Sequence, residues 1–252
     1  MDKMQIKEQR NELVVQSNEI IRNVRPFLND LSVAEVKLVI YLISKLCAED
    51  KDFKRVKFNI SEYCDVCGIK KSGREYERIK QAIKNVRDKS YWIKNDDEEI
   101  LFTWIDTAKL KKYETVELVL SEALKPYLLE LSKSFTKFEL INVLCLRSKY
   151  SIRLYQILKS YLWLGKWEVE TDRFREIMYL GDKYPQYKEL QRNVISNSLR
   201  EINKYTDLEV KFSTKKQGRS IGKLRFDITE KRGYQMTWEL ILNQEERLSI
   251  ND

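Results

Sequence analysis

A helix–strand–helix–helix order followed by paired strands occurs twice in these 252 residues, roughly 110 positions apart, and predicts an α+β chain of two tandem winged-helix domains. Three observations carry the prediction: helix-capping signals at matching places, a long amphipathic third helix in each copy, and alternating strands after it. The length accommodates two domains of about 125 residues each, divided here as 1–125 and 126–252.

In the first copy, Ser32 with Glu35 spells a capping box. Val36, Val39, Ile40, Ile43 and Leu46 then fall at helical spacing. Val56, Phe58 and Ile60 alternate as a strand, Ser61 caps a short helix to about Cys67, and Gly68 stops it. Residues 74–89 form the third helix. Strands are expected over 91–94, 100–106 and 115–120, with the acidic run Asp96-Asp97-Glu98-Glu99 at the tip of the first wing.

Residues 122–133 read as a linker helix with Pro126 in its first turn. Thr136 with Glu139 reads as the cap of another helix leading into the second copy. That copy has a helix over 148–164 carrying Leu154, Ile157, Leu158 and Tyr161, then a strand at Trp167 and Val169. Thr171 is expected to cap a helix ended by Gly181, and Pro185 to open a long helix to about Tyr205. Two strands follow, Leu208, Val210 and Phe212 matching Leu224, Phe226 and Ile228, around a turn at 214–220.

Composition narrows the function. The chain has no histidine, which excludes Ser-His-Asp and Cys-His catalysis and histidine-held metals. Cys64 and Cys67 make a C-x-x-C with no second ligand pair, so these two, Cys47 and Cys145 are expected to be reduced packing residues. The chain also lacks a glycine-rich phosphate loop and a paired-carboxylate motif. We therefore expect no enzyme, no cofactor and no metal. The longest apolar run, Leu38 to Ile43, is six residues and the amino terminus is polar, so a cytoplasmic protein without a membrane partner is expected.

The net charge of +8 favours a polyanionic partner. Residues 1–125 hold 24 Lys and Arg against 22 Asp and Glu, and residues 126–252 hold 23 against 17, so the surplus is +2 and +6. On the second long helix, Tyr187, Leu190, Val194, Ile195, Leu199 and Ile202 occupy one half of the wheel. Arg192, Asn193, Ser196, Asn197, Arg200, Asn203 and Lys204 occupy the other, in side chains that pair with guanine and adenine edges. The matching face of the first copy offers Arg74, Arg78, Gln81, Lys84 and Asn85, diluted by acids. Lys215, Lys216 and Arg219 stand in the second wing, where they suit phosphate contacts, whereas four carboxylates at 96–99 would be repelled by phosphate. The carboxy-terminal copy is thus expected to be the main grip on double-stranded DNA.

Several segments resemble the Rep-3 family of plasmid replication initiators, which bind iterons in theta replication. They are 11–18 followed by Leu31-Ser32, 148–159, and 187–211, where Leu199-Arg200-Glu201-Ile202-Asn203 leads into Thr206-Asp207-Leu208-Glu209-Val210. The resemblance covers residues of roughly 10–230. It implies two winged helices with pseudo-twofold similarity, monomers on directly repeated origin sequences, and a monomer–dimer equilibrium through the amino-terminal domain. It also implies autorepression and copy-number control by dimers, and loading of host initiator and replicative helicase after origin opening. The recognition role falls on Arg192, Asn193, Ser196, Asn197 and Arg200. A transcriptional repressor with the same two domains is the alternative that the residues leave open.

Overall fold

The computed structural model describes residues 1–22, 31–47, 55–94, 99–111, 115–129, 131, 134–218 and 220–234. It contains two copies of one motif, and each copy opens earlier than capping signals alone suggest. The first begins with β1 (Leu13–Ser17) and α2 (Asn18–Arg22), preceded by α1 (Lys3–Arg10). The second begins with β7 (Phe135–Glu139) and α7 (Leu140–Leu144). Thr136 therefore lies in a strand and caps no helix. The run Phe135-Thr136-Lys137-Phe138-Glu139 alternates, burying Thr136 and Phe138, and that period of two prevails over the capping pattern.

β1 and β7 pair antiparallel from Leu13↔Glu139 to Ser17↔Phe135, so an approximate twofold axis passes near Val15 and Lys137. The helices after these strands cross over. α2 packs on α8 (Lys149–Ser160), and α7 packs on α3 (Val33–Ser44). Arg22 donates to Ser160 O at 2.6 Å, and Lys37 donates to Leu144 O at 2.6 Å. In the buried seam Gln156 Nε2 donates to Gln16 Oε1 at 3.0 Å. One continuous apolar core runs through both copies, from Val14 and Ile20 to Phe226 and Ile228.

In the first copy, the Ser32–Glu35 capping box forms as expected and starts α3. β2 (Val56–Asn59), α4 (Ile60–Cys67) and α5 (Gly73–Asp88) follow. Gly68 ends α4 in the left-handed region at φ 68, where a side chain would be strained. The stretch expected as one strand over 100–106 is two, β4 (Glu99–Thr103) and β5 (Ile105–Lys111). The chain bends at Trp104, which is fully buried together with Ile105. Among the described strands β3 (Ser90–Lys94) pairs with β4 alone, whereas β2, β6 (Thr115–Leu120) and β5 form a three-stranded sheet in that order.

The expected linker helix shrinks to a 3₁₀ turn, Glu122–Leu124, and α6 (Lys125–Leu128), and Leu129 is already extended. In the second copy, α8 is followed by β8 (Lys166–Glu170) and α9 (Thr171–Ile177). α10 (Tyr187–Leu190), a π-helical turn (Gln191–Ser196) and α11 (Asn197–Tyr205) run on as one helix. β9 (Leu208–Gln217) and β10 (Ser220–Glu230) complete the copy, and β8, β10 and β9 form a sheet in that order, the same topology as β2, β6 and β5. Glu170, not Thr171, is the N-cap of α9, because Thr171 Oγ1 donates to Ile221 O at 2.8 Å and ties the helix to the sheet. No described helix is long and apolar enough to cross a membrane.

Candidate nucleic-acid interface

The shared topology assigns the wings. β10 and β9 form the second wing, with Gly218 at φ 64 in its turn. Lys215 and Lys216 are exposed on β9, while Arg219 lies outside the described residues. The equivalent hairpin of the first copy is β5–β6, joined across 112–114, and not the β3–β4 hairpin whose tip carries the acidic run. Of that run, only Glu99 is among the described residues. The first wing is therefore not the hairpin with the acidic run, and its lysines are matched in number by acids. Lys109 and Lys111 are exposed on β5, and Arg55 and Lys57 on the adjoining strand edge.

Glu117 lies within this surface, its side chain buried between Arg55 at 2.6 Å and Lys111 at 2.7 Å. Those hydrogen bonds, Lys111 first, hold its carboxyl down at about 2. The β3–β4 hairpin is an insertion, with Tyr91 and Phe102 turned into the core and Trp92 and Leu101 paired on its exposed face.

The third helices carry the other half of the surface. α5 buries Ile79, Ile83 and Val86 and exposes Arg74, Arg78, Gln81 and Lys84. Arg78 is paired with Glu75 one turn earlier, which blunts its charge. Asn85 is drawn into the fold rather than left facing outward. Its Nδ2 donates to Glu35 Oε1 at 2.7 Å, and its Oδ1 accepts from Gln81 at 2.7 Å. A 100°-per-residue wheel places Asn85 outside, and no local signal marks Glu35, 50 residues away, as its partner.

In the second copy Arg192, Ser196, Arg200 and Lys204 are exposed, and Asn193 and Asn197 are half-buried. Arg200 donates to Asn197 Oδ1 at 3.1 Å. Asn203 serves the fold. Its Nδ2 donates to Val210 O at 2.9 Å and its Oδ1 accepts Val210 N at 2.8 Å, which locks the helix to the wing strand. Glu201 turns away from the outer face and accepts Arg147 N at 3.1 Å and Ser148 N at 3.4 Å at the start of α8. Lys188, exposed in line with Arg192, belongs to the same face and is absent from the wheel reading. The structure thus turns Asn85 toward the fold and adds Lys188 and Lys109 to the exposed cations beside these helices. Each exposed helix face stands beside a hairpin with exposed lysines, and the β9–β10 hairpin is the net basic one.

Comparison with known proteins agrees with this architecture. The family described as Initiator Replication protein, WH1, matches residues 13–159, and Initiator Rep protein, WH2, matches residues 170–228. The chain belongs to the Rep-3 family of replication initiators. Rep-3 proteins act by binding DNA and not as enzymes, and the two matches correspond to two winged helices, the WH1 match running on through β7, α7 and most of α8. A replication initiation protein of Escherichia coli is 28% identical over 226 residues, which are 85% of this chain and 70% of that protein. The PI protein of Escherichia coli is 30% identical over 155 residues, 53% of this chain and 50% of that protein. A crystal structure of the Pi initiator protein in complex with iteron DNA superimposes with a TM-score of 0.75 at 20% identity, covering 88% of this chain and 99% of that one.

Proposed function

We propose that this Rep-3 initiator binds directly repeated double-stranded origin DNA, laying α10–α11 in one major groove and α5 in another. The observation that carries the reading is the exposed face Lys188, Arg192, Ser196, Arg200 and Lys204 beside the basic β9–β10 hairpin. Guanidinium groups on such a face read guanine edges, and hairpin ammonium groups hold phosphates. The relative crystallised with iteron DNA supports repeats as the target.

Residues 126–252 form the main grip, through Arg192, Asn193, Ser196, Asn197, Arg200, Lys204, Lys215, Lys216 and Arg219. Residues 1–125 supply the secondary contact, through Arg74, Arg78, Gln81 and Lys84 with Lys109 of the first wing, and self-association. Dimers repress the protein's own gene. Monomers on the repeats promote origin opening and admit the host initiator and replicative helicase.

The test is fluorescence anisotropy of the full chain with a duplex carrying one repeat from the origin beside its gene, against a shuffled duplex of equal length. Tighter binding to the repeat by about a thousandfold is expected. Equal affinity for both would reduce the chain to a general polyanion binder.

A further inference from the structure

The third helix of the second copy is interrupted by a π-helical turn, Gln191–Ser196. Its inward positions are Leu190, Val194, Ile195, Ser198, Leu199 and Ile202, all buried. Counted from Leu190 they fall at steps of four, five, eight, nine and twelve. An amphipathic α-helix buries steps of three, four, seven, eight and eleven. The excess lies between Leu190 and Val194, where Gln191, Arg192 and Asn193 occupy a gap that suits two residues. The chain absorbs it in the π-helical turn Gln191–Ser196, whose wider i→i+5 loop takes up one extra residue.

The consequence falls on the opposite face. Lys188, Arg192, Ser196, Arg200 and Lys204 are exposed at every fourth position. In an unbroken α-helix four such steps drift by about 160° around the axis. A π turn gives back one residue, about 100°, and leaves roughly 60°, within a single face. A side chain also bonds to the backbone across the turn. Asn197 N–H is directed to Val194 O, and Asn197 Nδ2 donates to Asn193 O at 3.4 Å. Asn197 thereby helps to close the turn, while its Oδ1 accepts from Arg200.

We infer that the π turn is a specificity-determining device: it aligns the cationic stripe of α10–α11 into one straight reading edge, with Asn197 as its positioning residue. The inference rests on the reading of this helix as the DNA-facing one. A π turn in mid-helix is less stable than continued α-helix, so its presence in this helix requires a reason.

Deletion of Gln191 restores the three–four spacing of the core. The full-length variant is expected to melt no lower than the parent and to bind shuffled duplex as the parent does. Its preference for the repeat duplex is expected to fall by about tenfold or more, the size of losing one bidentate contact. Gln191→Ala, which keeps the chain length, is expected to retain the preference within about twofold. Three outcomes would overturn the inference: an intact preference in the deletion variant, a deletion variant that does not fold (placing the extra residue in the core), or an equal loss in Gln191→Ala. A parent protein with no preference at all would instead overturn the functional reading on which the inference rests.

Discussion

Asn85 Nδ2 stands 2.7 Å from Glu35 Oε1, and this bond fastens α5 to the first turn of α3. Lys89 completes the grip, its Nζ 3.0 Å from Glu35 Oε2. Burial disfavours a charged Glu35, but hydrogen bonds from Asn85, from Ser32 N–H and from Lys89 outweigh it and hold the carboxyl below its ordinary range. The second copy secures the same junction through Glu201 of α11, which accepts the backbone N–H groups that open α8. In both copies a carboxylate joins the long amphipathic helix to the amino terminus of α3 or α8.

Asn85→Ala is therefore expected to act on stability. Leaving a buried carboxylate oxygen short of a donor costs about 1–3 kcal/mol. Urea unfolding should show that loss, while the affinity of the folded protein for DNA stays within about twofold. A large loss of affinity at unchanged stability would return Asn85 to the reading face.

The carboxyl of Glu117 sets an acid limit on the first wing. Its folded value of about 2 lies below the ordinary 4.5, so its contribution to stability is fully present above about 4.5 and disappears as the pH falls toward 2. Glu117→Gln removes that dependence. Denaturant titrations between pH 5 and 2 should show a shallower loss of stability in the variant than in the parent. Parallel curves would contradict the Arg55–Glu117–Lys111 arrangement.

Lys109 tests the reassigned wing. It is exposed on β5. Lys109→Ala should weaken all duplexes alike and reduce the slope of log affinity against log salt by about one. An unchanged slope would remove this hairpin from the interface.

Arg200→Ala should behave differently. A base-reading guanidinium costs about 1–3 kcal/mol when lost and relaxes preference at one position. Binding to a set of single-base variants of the repeat resolves the two cases. A uniform loss across the set would make Arg200 a phosphate contact.

Much of this architecture is legible in the residues. The Ser32–Glu35 box, the Gly68 stop and the apolar face of 187–205 are local patterns, and each forms where its pattern falls. What the residues conceal is long-range. β7 becomes a strand because β1, more than 100 positions away, supplies its hydrogen bonds. The first wing is recognised only from the pairing of β5 with β6, since the acidic 96–99 run sits in an equally plausible hairpin. Asn85 and Asn203 satisfy a wheel drawn for DNA contact, yet their amides meet Glu35 and the Val210 backbone. The π turn is written in the spacing of Leu190, Val194 and Ile195, but a fixed 100° step smooths it away.

The most direct measurement is footprinting of the full chain on the DNA flanking its own gene, at about 0.15 M salt with excess competitor. Protection of several direct repeats, each about two helical turns or roughly 20 bp, is expected if both third helices engage one repeat. Protection of one inverted repeat over the promoter alone, or none that survives competitor, would contradict an initiator that grips origin repeats with both winged helices.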